Sequence, residues 1–172
     1  MSGSGNSDFP GRGTTAEKLE MLLVPTDDPR ARDEVRALDP AEALPVLADV
    51  LADQSRPSLI RRRAAMFMGV IGDRSAIPLL ETAVGDRDEV VRARALQALA
   101  TFGEVGASTA RTVLDAARDE DPYVRETAAR AVAALGLTEA PAILAEMAAT
   151  DPAPEVRRAA GEAAKTLQGG GA

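Results

Sequence analysis

Among its 172 residues the chain has no cysteine, no histidine and no tryptophan. Those absences exclude a disulfide framework, Cys/His zinc sites, thiol nucleophiles and every histidine-dependent triad or haem ligation. Aromatic side chains are nearly as scarce, Phe9, Phe67, Phe102 and Tyr123 being the whole set. Hydrophobic content carried so largely by Ala, Leu and Val suits closely packed helices and argues against a large β-sandwich. The N-terminal stretch MSGSGNSDFPGRG lacks the basic and then apolar regions of a signal peptide. No run approaches the ~18 apolar residues of a membrane helix. These features predict a soluble, cytoplasmic protein with no membrane contact. Acidic residues outnumber basic ones by 27 to 20, a formal net charge of −7. Such a balance argues against non-specific binding of nucleic acid, although a local patch can carry the opposite sign.

Composition along the chain divides it into a body and two tails. Residues 1–13 are rich in Gly and Ser and are expected to form a disordered N-terminal tail; Gln168 onward is expected to fray, with 169–172 a flexible C-terminal tail. Between them helix signals are dense. Thr14 followed by Glu17 is a capping-box pattern that opens the apolar residues Leu19, Leu22 and Leu23 and stops at Pro25. A second short helix is expected from about Pro29 to Leu38, ending before Pro40.

The remainder repeats. Ile60-Arg61-Arg62-Arg63-Ala64-Ala65, Val91-Arg92-Ala93-Arg94-Ala95-Leu96, Val124-Arg125-Glu126-Thr127-Ala128-Ala129 and Val156-Arg157-Arg158-Ala159-Ala160-Gly161 start 31, 33 and 32 residues apart. Twelve residues after the first three starts stand Gly72, Gly103 and Gly136, each able to end a helix in a left-handed conformation, and Gln168 holds that place in the fourth. An upstream apolar segment of helical length accompanies each copy, as in Ala43 to Leu47 and Ala76 to Leu80. The unit is helix, turn, helix, and neither helix can bury its apolar face without neighbouring pairs. The expected fold is all-α: a right-handed α-solenoid of about four helix pairs over 14–168. Residues 14–39 supply N-terminal cap helices, and the repeats fall at about 40–72, 73–104, 105–137 and 138–168.

The Asp-rich turn, the Val-Arg start, the small residues of the second helix and the closing Gly resemble HEAT repeats, specifically the short bacterial kind of the phycobilisome-lyase-like type. The resemblance covers roughly residues 40 to 168. It implies an armadillo-like helical scaffold or adaptor. It also implies a structural ladder between neighbouring repeats, made by a turn Asp and an Arg at the start of the second helix. Asp86 precedes Arg92 by six residues, as Asp119 precedes Arg125 and Asp151 precedes Arg157. The first copy departs, with Asp53 eight residues before Arg61 and Pro57 in a longer turn. An always-charged, planar guanidinium bridging turn carboxylates and carbonyls is a structural device, so these arginines are expected to support stability.

HEAT arrays usually expose their second helices on a concave surface, which makes the outward positions of those helices the candidate partner-binding site. With Val91, Ala95, Leu99 and Phe102 facing inward, the helical period puts Ala93, Arg94, Gln97, Ala100 and Thr101 outward. The same positions are Arg62, Arg63, Met66, Gly69 and Val70 in the first copy. They are Glu126, Thr127, Arg130, Ala133 and Ala134 in the third, and Arg158, Ala159, Glu162, Lys165 and Thr166 in the fourth. Six of these side chains are cationic and two anionic, so a mildly basic inner face is expected on an acidic molecule. Arg62, Arg63, Met66, Val70, Arg94, Gln97, Arg130 and Arg158 are its candidate binding residues, for a protein or acidic peptide segment. Arginine is also a strong helix former that keeps Ala-rich surfaces soluble, so solvated decoration explains the same pattern. Phe67, aligned with Ala98, is expected in the core, and Tyr123 as a packing residue with a wet hydroxyl.

No catalytic, cofactor-binding or metal-binding residue is expected. Asp27-Asp28 and Asp119-Glu120-Asp121 lack the alternating spacing and Gly of a calcium loop and read as helix caps and ladder partners. The chain is therefore expected to be a non-enzymatic protein-interaction module. A DNA-binding or repair role is the first alternative, and few inner cations and few aromatics argue against it. A partner subunit in a phycobilisome-lyase-like complex is the second, implied only by the resemblance.

Overall fold

In the computed structural model, which describes residues 13–25 and 30–169, every regular element among the described residues is helical. The tails expected over 1–13 and 169–172 fall outside those residues apart from Gly13 and Gly169, as does Asp27-Asp28.

Helix α1 (Thr15–Leu23) begins at Thr14, whose hydroxyl accepts the Glu17 N–H while the Glu17 carboxylate accepts the Thr14 N–H. Helix α2 (Ala31–Arg36) is shorter than the stretch 29–38 suggests. Asp39, held extended before Pro40, caps the next helix through the Ala41 N–H.

Four helix pairs follow. They are α3 (Pro40–Ala52) with α4 (Ser58–Ile71), α5 (Ile77–Ala83) with α6 (Glu89–Leu99), α7 (Ala107–Ala116) with α8 (Pro122–Ala134), and α9 (Pro141–Thr150) with α10 (Pro154–Gly169). A 3₁₀ turn, Arg74–Ala76, precedes α5 and another, Ala100–Phe102, continues α6. Prolines lie in the first turn of α3, α5, α8 and α9, where a missing N–H costs nothing. Asp88 and Asp121 cap α6 and α8 through pairs of backbone N–H groups. The second helices of the first three pairs are closed by Gly72, Gly103 and Gly136, at φ of 71°, 67° and 63°. A side chain would be strained there. Gln168 stands where the Gly stop falls in the other copies, and α10 runs through it to Gly169.

Each second helix packs on its own first helix and on the second helices either side, α4 on α6, α6 on α8 and α8 on α10. One continuous core runs from Leu19 to Ala163. Alanine is the dominant contact residue because the helices approach closely: a Cβ placed on Gly69 of α4 would stand 3.0 Å from the Ala98 Cβ of α6. Helix α1 lies on α3 and α2 on α4, covering the N-terminal end. The architecture is an α-solenoid of four helix pairs with an N-terminal helical cap.

Three positions expected outward, Ala93, Thr127 and Ala159, are buried. A single apolar stripe describes a helix with one packing partner. Helices α6 and α8 each pack on a first helix and on second helices to either side, and α10 on both α8 and α9, so the buried arc is wider than one stripe. Phe102, expected inward, is half-exposed because the 3₁₀ turn changes the angular step at the end of α6. Phe67 is fully buried.

Candidate functional site

The Arg that follows Ile60, Val91, Val124 or Val156 near the start of each second helix sits at the edge where one pair meets the next. Arg92 donates Nε and Nη2 to the two carboxylate oxygens of Asp119, at 2.9 and 2.7 Å, while its Nη1 donates to the Asp86 carbonyl at 3.0 Å. Arg125 does the same with Asp151, at 2.8 and 3.0 Å, and with the Asp119 carbonyl at 2.9 Å. Each turn Asp thus offers its main-chain carbonyl to the arginine of its own pair and its carboxylate to the arginine of the pair before. The Asp119 and Asp151 carboxylates also each accept the N–H two residues ahead, which fixes the turn.

The charge environment follows from this geometry. Arg125 is the main reason that the Asp151 carboxyl lies below its ordinary range, and the Ala153 N–H adds to it. Asp119 and Asp151 in turn raise Arg92 and Arg125. Burial pushes the Asp86 carboxyl up, yet Arg61, the Asp88 N–H and Gln54 together hold it low.

The two ends of the row differ from its middle. Arg61, 1% exposed, pairs with Asp86. Asp53 turns away to Ser55 and Arg56. The longer first turn hands its Gln54 carbonyl to Arg87, and Arg61 Nε is a buried donor without a partner among the described residues. Arg157 keeps both bonds to its own turn, to the carbonyls of Asp151 at 2.7 Å and Pro152 at 3.1 Å. Beyond it no carboxylate is paired with it among the described residues.

The candidate binding residues lie along the second helices but in unlike states. On α4, Arg63 donates Nε to the Leu22 carbonyl at 2.8 Å and stacks 5.2 Å from the Phe67 ring centroid, anchoring α1. Burial and then the Arg32 charge lower its affinity for its proton. Met66 is approached by Arg32 of α2, while Arg62 and Val70 are half-exposed. On α6, Arg94 donates to the Gln97 side chain at 2.8 Å, and Gln97 donates to the Tyr123 hydroxyl at 3.3 Å, joining the second and third copies. Arg130 and Arg158 converge on Glu126 at 2.5 and 3.9 Å, and Arg158 also meets Glu162 at 3.4 Å. The cations of the third and fourth copies are therefore locally paired. Arg62 and Arg94 have no carboxylate partner among the described residues.

The bond of Arg63 to the Leu22 carbonyl is one that sequence spacing does not reveal. The ladder partner lies 25, 27 or 26 residues downstream, the repeat period less six, and that regularity is the signal available. At the opposite edge of the array, where Gly103 and Gly136 end their helices, the loops Gly103 to Ala107 and Leu135 to Glu139 flank an open cleft of about 660 Å³. Arg74 bridges the preceding pair of loops through the Glu104 carbonyl at 2.9 Å. No helix among the described residues is long and apolar enough to cross a membrane.

A family model described as HEAT repeats matches residues 30–100 and again 84–165. No curated protein matches the sequence. Among solved structures, the complex of CpcE and CpcF of phycocyanin lyase from Nostoc sp. PCC7120 has a chain with 22% identity and a TM-score of 0.67, covering 98% of this chain and 71% of that one. Two engineered proteins, each 20% identical and covering 91% of this chain, have TM-scores of 0.54 and 0.58 and are covered over 80% and 82% of their own length. At these identities the likeness is one of fold.

Proposed function

Because the chain belongs to the HEAT-repeat proteins, we propose that it is a non-enzymatic scaffold that binds an acidic segment of a protein partner on the face of its second helices. One observation carries this reading: Arg62, Met66 and Val70 on α4 and Arg94 and Gln97 on α6 are half-exposed on adjacent helices whose backbones close together at Gly69. Small residues between them let a partner backbone come near. The two arginines supply charge without a competing carboxylate among the described residues, and Met66 and Val70 supply shallow apolar contact. Arg130 and Arg158, paired with Glu126 and Glu162, extend the surface without adding free charge. That pairing also breaks any continuous cationic track, which disfavours nucleic acid as the partner.

The test is recovery of partner proteins with the tagged full chain from the cells that make it. Arg62→Glu/Arg94→Glu is compared with Arg130→Glu/Arg158→Glu. Loss of the partner in the first variant and retention in the second is the expected outcome. Unchanged recovery in the first variant would remove the case for this face.

A further inference from the structure

We infer that the outer side of α10, at the C-terminal end of the array, docks a helical hairpin of a different polypeptide that carries an aspartate in its inter-helix turn. The three junctions inside the chain are the template. At each one the second helix bears the ladder arginine, an apolar residue four positions on and another three beyond that. These apolar pairs are Ala65 and Met68, Leu96 and Leu99, and Ala129 and Val132, and all six are fully buried. In α10 the same column is Arg157, Gly161 and Ala164. There the two apolar positions are half-exposed, and a Cβ on Gly161 would meet nothing within 4 Å. Among the described residues no pair packs on this side of α10, and it is at this column that the difference shows.

The arginine names the chemistry of the occupant. Arg157 Nη1 is held by its own turn carbonyls as Arg125 Nη1 is. In Arg92 and Arg125 it is Nε and Nη2 that take the two oxygens of one carboxylate. In Arg157 those two donors have no acceptor among the described residues. The fork is thus oriented before any partner arrives, which lowers the ordering cost of binding. An Asp in a turn between two helices fits it, as at Asp86, Asp119 and Asp151. The four helix pairs of a second copy offer none among the described residues: their Asp86, Asp119 and Asp151 already hold Arg61, Arg92 and Arg125, and their Asp53 holds Arg56. This end lies apart from Arg62 and Arg94, so the two surfaces are separable.

The experiment places the photo-crosslinking residue p-benzoylphenylalanine at exposed Gln168 of the full chain, in the cells that make it, and maps the crosslinked peptide. The expected product is a crosslink to a helical hairpin of another protein with Asp in its turn. Its yield falls at least about tenfold with Arg157→Gln or Ala164→Arg. It is kept in Arg62→Glu/Arg94→Glu, and it is restored for Arg157→Asp when the partner's turn Asp is changed to Arg. Ala164→Arg leaves the ladder intact, so a folding defect in the Arg157 variants does not obscure the result. A crosslink only to a second copy, to a segment without that turn, or to no protein overturns the proposal, as does a yield indifferent to Arg157 and Ala164.

Discussion

Changing Arg125 to alanine takes one rung out of the middle of the array. Four hydrogen bonds go with it, two to Asp151 at 2.8 and 3.0 Å and two to the carbonyls of Asp119 and Glu120 at 2.9 and 3.0 Å. The larger effect lies in what stays behind. The Asp151 side chain is 7% exposed and keeps a charge whose chief counter-ion is gone, with the Ala153 N–H as its remaining close donor. Breaking a buried pair from one side costs about 3–5 kcal/mol and an exposed pair less than about 1. This pair stands near the buried end of that range, so the expected loss is about 3 kcal/mol. In a domain of this size a kilocalorie moves Tm by about 2–4 °C, which puts the drop at roughly 6–12 °C.

Solenoid stability is a sum of repeat and nearest-neighbour terms, so the damage belongs to the junction of the third and fourth pairs. Amide exchange in α9 and α10 is expected to accelerate before that of α3 to α6. Arg157→Ala, which removes bonds only to its own turn, is expected to cost less than about 1 kcal/mol. Thermal unfolding by circular dichroism, a double-mutant cycle with Asp151→Ala and exchange by mass spectrometry measure these effects. A Tm within about 2 °C of the parent with no coupling to Asp151, or exchange faster everywhere alike, would refute the reasoning.

Two further outcomes follow from the ladder. Arg61→Met or Asp86→Leu alone is expected to destabilise by about 3 kcal/mol, whereas the two together stay within about 1 kcal/mol of the parent. The pair is fully buried and Arg61 Nε is already unpartnered, so its joint removal leaves no stranded charge; a double variant as unstable as the sum of the singles contradicts this. Asp86 and Asp151 lie below the usual carboxylate range in the folded chain. The unfolded chain therefore binds more protons in acid. Their stabilisation is complete above about pH 4 and is lost as pH falls through the lower folded values. Asp151→Asn should flatten the acid limb of a Tm-against-pH profile, and an unaltered limb would show that the carboxylate is not coupled to folding.

The period of the repeats, their Val-Arg starts and their Gly ends are legible in the sequence because each acts locally or recurs at fixed spacing. The capping box at Thr14 and the glycine closures are local chemistry, and local chemistry survives the absence of coordinates. The face was harder to read. Ala93, Thr127 and Ala159 look outward on a wheel with one inside, and only the stack shows that α6 and α8 are covered on three sides and α10 on two. Arg63 reads like Arg62 and Arg94 until the docking of α1 brings the Leu22 carbonyl to it. That contact spans 41 residues and depends on where the cap helices settle, which no spacing encodes. Arg130 and Glu126, by contrast, stand four apart on one helix, and their pairing was there to be seen.

The two edges of the array are tied by different means, and this gives it a mechanical grain. Along the edge of inter-helix turns, arginine side chains tie each pair to the next, as two-pronged forks at Asp119 and Asp151 and through a single Nη1 at Asp86. Along the opposite edge the loops are joined by Arg74 at one junction and stand apart across the cleft between Gly103 and Gly136 at the next. A bend about the clamped edge would widen or narrow that cleft while the rungs keep their length, so a change of curvature would fall at the junction of the second and third pairs, between α6 and α8.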